Sequence, residues 1–173
     1  YMDAAHRQIL GSTAALVPFI EKTRVDRALT GSNMQRQAVP LLCPESATVG
    51  TGIEKAVAEN SGHLIQASAD ADEVHVKYAD GVKIYTLKHF VKNNDDRCYN
   101  QKVRVERGDK VKKGDILIEG ASIAGGEIAL GKNLLVAFMP WGGYNMEDAI
   151  IMSRRLVEDD RLTSINIKDY TVE

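Results

Sequence analysis

Near the amino end, Ile9, Leu10, Ala14, Leu16, Val17 and Ile20 recur at helical spacing, which predicts a helix over 4–22. Gly11 and Pro18 interrupt it, and the proline predicts a break near Val17. Residues 24–29 predict another helical turn ended by Gly31, and 33–38 a short helix ended before Pro40. Beyond Leu41 the period shortens. In "VGTGIEKAVAENSG", Gly50, Gly52 and Gly62 frame a short helical or extended piece. "HLIQAS", "EVHVKY" and "VKIYTL" alternate as strands, the last two joined by a hairpin turn at Ala79-Asp80-Gly81.

A second strand group is predicted in "KVRVERGDKVKKGDILIEG", punctuated by Gly108-Asp109 and Gly114-Asp115. The continuous apolar run "NLLVAFMPW" predicts a buried strand, stopped by Gly142-Gly143. "EDAIIMSRRLVEDD" reads as a helix and "TSINIKDYTVE" as a strand. No repeat or low-complexity tract is present. The pattern is a helical N-terminal part, an all-β middle, then strand, helix and strand. Half a barrel leaves open edges, so a pairing partner is expected outside this chain. Both ends, Tyr1-Met2-Asp3 and Thr171-Val172-Glu173, read as cuts through a longer polypeptide.

Composition narrows the class. The chain has 173 residues, 44% hydrophobic and 27% charged, the balance of a globular protein. No apolar run approaches the roughly 18 residues that span a bilayer, and no secretory signal is evident. Cys43 and Cys98 form no CxxC pair, and the four histidines have no ligand spacing, so idle thiols and no structural metal are expected. The net charge of −2 gives no global basic footprint. Lysines and arginines do crowd between Lys83 and Lys113, as a solvated face or as a local basic surface.

Three stretches carry candidate chemistry. "GDKVKKGDIL" resembles the turn-rich segment of barrel-sandwich domains such as biotinyl and lipoyl carriers. Its Gly-Asp pairs set turns, and Val111, Ile116 and Leu117 are expected to fill a sandwich. No lysine there has the flank of a carrier lysine. In "WGGYNMED", Glu147 and Asp148 fall where a helix is expected to start. They either cap that helix or help to hold a hard cation such as Mg2+, which takes few carboxylates beside phosphate oxygens and water. "GSNMQRQAVP" crowds amides and arginine, groups that bond phosphates, ribose hydroxyls and base edges. Arg27, one turn upstream, is a surface charge or a phosphate ligand.

Taken in order, "DRALTGSNMQRQAVPLL", "VGTGIEKAVAENSG", "GEIALGKNLLVAFMPWGGYNMEDAIIMSRRLVEDD" and "TSINI" closely resemble the β subunit of bacterial-type multisubunit DNA-directed RNA polymerase, over essentially the whole chain. The resemblance implies an internal fragment of that subunit, lining the active-centre cleft. It implies that Arg27 meets the triphosphate of the incoming NTP, that Asn33 and Gln37 meet the RNA–DNA hybrid, and that Glu147 and Asp148 lie near the nucleotide-borne Mg2+. The principal metal-holding aspartates belong to the β′ subunit in that family. Two lysines facing the RNA end belong to a barrel half beyond Glu173. The implied partners are β′, the α subunits, ω, sigma factor, the remainder of β, DNA template, RNA transcript and NTPs, with no membrane. The implied compartment is the bacterial cytoplasm at the nucleoid, or an organelle. The implied reaction of the whole enzyme is nucleotidyl transfer, with the fragment alone inactive.

The expected fold class is mixed, mainly β. A helical segment over 1–40 leads into a β-sandwich or barrel-sandwich region over 41–128 that faces the hybrid. The first half of a double-psi β-barrel then occupies 129–173. Two departures from the family pattern stand out. Thr23-Arg24-Val25-Asp26 replaces an acidic pair and an asparagine, and Met146 stands where an aromatic is common. The competing class is a stand-alone β-sandwich binding or carrier module.

Overall fold

The computed structural model describes residues 9–61, 69–70, 73–78, 81–106, 108–112 and 114–172. The expected strand "HLIQAS" lies outside them.

Of the helix expected over 4–22, residues 4–8 lie outside the described residues, and over 9–22 the helix is much shorter than its periodicity predicts. Helix α1 covers Ser12–Ala15, followed by a 3-10 turn at Ile20–Lys22. Pro18 has no N–H to continue the ladder, and Phe19 takes a left-handed backbone with φ 58°. Helix α2, Val25–Gln37, then runs unbroken through Gly31, where two pieces were expected. The polar residues around Gly31 turn inward on the helix itself. Thr30 Oγ1 donates to the Asp26 carbonyl and Ser32 Oγ to the Ala28 carbonyl, each at 2.9 Å. Gly31 faces Val17, and a Cβ there would stand 3.7 Å from Val17 Cγ2. That is an ordinary contact distance, so Gly31 lies against Val17 without its lack of a side chain being required there. Asp26 in the first turn and Arg36 in the last complement the helix dipole.

Helix α3 is Glu54–Asn60. Its first residue reaches back: Glu54 carboxylate oxygens accept from the backbone N–H groups of Thr51 and Gly52. These bonds, led by that from Thr51, hold its carboxyl below the ordinary 4.5. Ala58 is the buried residue of this helix, which packs on the later strand Glu127–Ile128.

The expected hairpin is present. Strands β1 (Ala69–Asp70), β2 (Glu73–Tyr78) and β3 (Gly81–Thr86) form an antiparallel sheet, with Tyr78 opposite Gly81 and Glu73 opposite Thr86. Three two-stranded antiparallel pairs follow. They are β4 (Val91–Lys92) with β5 (Cys98–Tyr99), β6 (Lys102–Val103) with β7 (Ile118–Glu119), and β8 (Ile123–Ala124) with β9 (Glu127–Ile128). The two Gly-Asp turns between β6 and β7 are built alike. Asp109 accepts the Glu106 N–H at 2.9 Å and Asp115 the Lys112 N–H at 2.6 Å, with Gly108 and Gly114 at positive φ. These turns fold Leu117 and Ile118 into full burial beside Leu87, with Tyr85, Val103, Val105 and Val111 packed around them. Val111 and Leu117 thus fill the core as expected, and Ile116 is half-buried.

The last third corrects the sequence reading. The run at 133–141 is not a buried strand: Leu135 and Phe138 are fully exposed, and Val136 and Trp141 are largely so. No helix begins at Glu147. Gly142, Gly143 and Glu147 all have positive φ, and the only helix downstream among the described residues is α4, Arg155–Glu158. The left-handed residues at 142, 143 and 147 set turns there, and the chain from 149 to 153 forms no regular helix. The 163–169 stretch is extended but is held by single bonds. Leu42 N–H donates to the Thr163 carbonyl at 3.0 Å, Cys98 N–H to the Ile165 carbonyl at 3.1 Å, and Ile167 N–H to the Asp96 carbonyl at 2.7 Å. Lys92 adds ion pairs to Asp169 at 2.8 Å and Asp96 at 3.0 Å, which push its amine pKa up, Asp169 first. The described architecture is thus mainly β and irregular chain around few helices. No helix among the described residues is long and apolar enough to cross a membrane.

Candidate functional site

Helix α2 carries the first group of expected site residues. Arg27, Asn33 and Gln37 are all exposed on it. Asn33 and Gln37 lie one turn apart on the same face. Arg27 precedes Asn33 by about 9 Å along the axis, at 1.5 Å per residue. Its guanidinium has no partner among the described residues. The neighbouring Asp26 is occupied instead by Arg24, whose Nη2 lies 2.9 Å from Asp26 Oδ2. Arg24 and Asp26 thus pair with each other, and Arg27 stays unengaged among the described residues. Asn33 Oδ1 accepts from Arg36 Nη2 at 3.2 Å, which leaves its amide N–H2 for an outside acceptor. The exit of α2 is fixed by Arg97, whose Nη1 donates to the Ala38 carbonyl at 3.1 Å.

The second group sits in a clamped turn. Asn145 Oδ1 accepts the Trp141 N–H at 2.9 Å, and Asn145 Nδ2 donates to the Met139 carbonyl at 2.7 Å. This side chain replaces a backbone ladder and presents Glu147 and Asp148 on an exposed loop. Neither carboxylate has a hydrogen bond or ion pair among the described residues. They are not helix caps, because no helix starts there. Two free oxygen donors suit a hard cation that brings its own phosphate and water ligands. They cannot enclose one alone, and no group of three or more His, Cys, Asp or Glu able to hold a metal occurs among the described residues.

No hydrogen bond or ion pair among the described residues joins α2 to the 141–148 turn directly. A groove of about 240 Å³ lies elsewhere, lined in part by Leu42, Cys43, Cys98, Lys102 and Ile165, and includes none of the expected site residues. Both cysteines are free thiols, Cys43 exposed and Cys98 buried.

Sequence reasoning missed a polar junction at Glu45. Its carboxylate accepts from Lys132 Nζ at 2.7 Å, while Arg161 Nη1 lies 3.5 Å away. Lys132, first of all, holds the Glu45 carboxyl below the ordinary 4.5. Residues so far apart in sequence leave no periodic signal of their contact.

Comparison with known proteins agrees with the resemblance. Residues 13–173 match the family model described as RNA polymerase Rpb2, domain 6. The chain is 50% identical over 180 residues to the DNA-directed RNA polymerase subunit beta of Tropheryma whipplei strain TW08/27. It is equally similar to the same subunit recorded for Tropheryma whipplei without a strain. Each alignment covers 99% of this chain and 16% of the relative, so the chain spans about one sixth of the length of the curated relatives it matches.

Proposed function

Because the chain belongs to the RNA polymerase Rpb2 domain 6 family, we propose that it forms part of the active-centre wall of a DNA-directed RNA polymerase. It positions NTP and the RNA–DNA hybrid during template-directed synthesis. The observation that carries this reading is the single continuous helix α2, which offers Arg27, Asn33 and Gln37 to solvent with the Arg27 guanidinium unpaired among the described residues. A planar guanidinium grips a triphosphate through paired charge-assisted bonds. Amides hold backbone and sugar without reading sequence, as a template-directed enzyme requires.

In this reading the chain divides into a cleft-lining helical segment over 1–40, a hybrid-facing β region over 41–128 and the first half of a double-psi β-barrel over 129–173. Glu147 and Asp148 are the residues of this chain that would attend a nucleotide-borne Mg2+. When bound, that ion would neutralise phosphate charge, while its principal ligands would come from β′. The chain supplies position and charge compensation. Its assembly would include β′, the α subunits, ω, sigma factor and the rest of β, in the bacterial cytoplasm. The exposed apolar run at 134–141 favours such an assembly over a stand-alone module, since a surface of this kind works covered.

The test is steady-state nucleotide addition by the complete enzyme carrying Arg27→Ala. The apparent KM for NTPs should rise more than DNA binding weakens. An unchanged NTP dependence removes the assignment.

A further inference from the structure

Glu45 is the meeting point of three distant stretches of chain. Its carboxylate faces Lys132 Nζ at 2.7 Å, the Asn133 backbone N–H at 3.4 Å and Arg161 Nη1 at 3.5 Å. Its own N–H donates to the Gly131 carbonyl at 2.9 Å. Asn133 returns the contact: its Oδ1 accepts the Thr48 N–H at 3.1 Å and its Nδ2 donates to the Ser46 carbonyl at 2.8 Å. The two stretches 45–48 and 131–133 are thereby clasped by backbone and side chain together. Along the chain, the clasp joins the stretches that lead away from the first group of expected site residues and toward the second. The 45–48 stretch follows the exit of α2, and 131–133 opens into the exposed run that ends in the 141–148 turn.

The side chain of Lys132 is only 9% exposed, and Glu45 is its ion-pair partner. A desolvated charge is held firmly only while its counter-charge is present, and removing that partner strands it. We infer that Glu45 and Lys132 are positioning residues, which set where the Glu147–Asp148 turn stands relative to α2. The spatial part rests on the clasp alone; its catalytic consequence rests on the function proposed above.

The experiment uses the complete enzyme with Glu45→Gln, Lys132→Met and both changes together. Bio-orthogonal spin labels at Thr30 on α2 and Tyr144 on the turn report their separation, and single-nucleotide addition is followed across NTP concentration. Glu45→Gln should widen the distance distribution and lower kcat on the order of tenfold, the scale of a small misplacement. The apparent KM for NTP should change much less. Adding Lys132→Met should recover part of both effects, because it removes the stranded ammonium. An unchanged distance in Glu45→Gln, or a double variant worse than either single one, overturns the positioning role; a widened distance with unchanged addition overturns its catalytic consequence. A normal NTP response of Arg27→Ala overturns the proposed function alone and leaves the distance result standing.

Discussion

The carboxylate of Glu119, 3% exposed, is held by Arg104, whose Nε and Nη2 both stand 2.6 Å from Oε2. Its second oxygen accepts the Gly126 N–H at 3.1 Å. The pair locks β6 against β7 at the edge of the Leu117–Ile118 core. Arg104→Ala leaves a buried carboxylate without its cation. The expected loss is about 2–3 kcal/mol, below the usual cost of a broken buried pair because Arg104 is itself half exposed. Amide hydrogen exchange at 102–104 and 117–119 checks it. Protection equal to that of the unmodified chain would show that the pair is dispensable.

Arg27→Lys separates charge from shape. A point charge cannot reproduce the guanidinium fork, so lysine should restore only part of the NTP affinity lost in Arg27→Ala. That loss is expected at about 1.5–3 kcal/mol, on the order of tenfold to a hundredfold in KM. Full restoration by lysine would mean that the site senses only charge.

For the turn, neutralising both acids (Glu147→Gln with Asp148→Asn) should slow nucleotide addition most at low Mg2+. Excess Mg2+ should restore much of the rate, since a weakened site refills by mass action. A deficit independent of Mg2+ would assign the pair a role in the turn alone. Thermal melting of the same variant gives the control.

Helix α3 should loosen in acid. The Glu54 carboxyl sits below 4.5 through its bonds from Thr51 and Gly52, so its contribution is present at higher pH. That contribution disappears as pH falls through the lowered folded value. Amide protection over 54–60 between pH 6 and 3 should decline in the native chain, and Glu54→Gln should flatten the profile. Identical profiles would remove Glu54 as the cause.

The 173-residue chain expressed alone should self-associate, because Leu135, Phe138, Ile150 and Met152 lie on exposed irregular chain. Sedimentation across a concentration series measures this. A monodisperse monomer at every concentration would count against a covered surface.

How legible the molecule was in sequence depended on the range of the interaction. The β2–β3 hairpin was readable because alternation and Gly81 are local. So were the twin Gly-Asp turns, where a glycine takes the positive φ and the aspartate bonds three residues back. Gly31 misled, since punctuation was read where the glycine lies inside a continuous helix. The run at 133–141 misled differently. Apolar residues declare a need for burial, not which chain supplies the cover. Where a helix was expected from 147, the chain makes a turn with left-handed backbone at Glu147, which residue type does not announce. The expected site residues came from family likeness; their exposure on α2 and on the Asn145-clamped turn came from the fold.

The unbroken α2 makes the spacing of the side chains proposed to act from it a matter of screw geometry. A substitution at Thr30 or Gly31 leaves Asn33 and Gln37 at the same pitch from Arg27. Adding or deleting one residue there would swing both amides by about 100° about the axis and shift them about 1.5 Å along it. The helix thus behaves as a calibrated rod, indifferent to many changes of letter between its marks and intolerant of any change in their number.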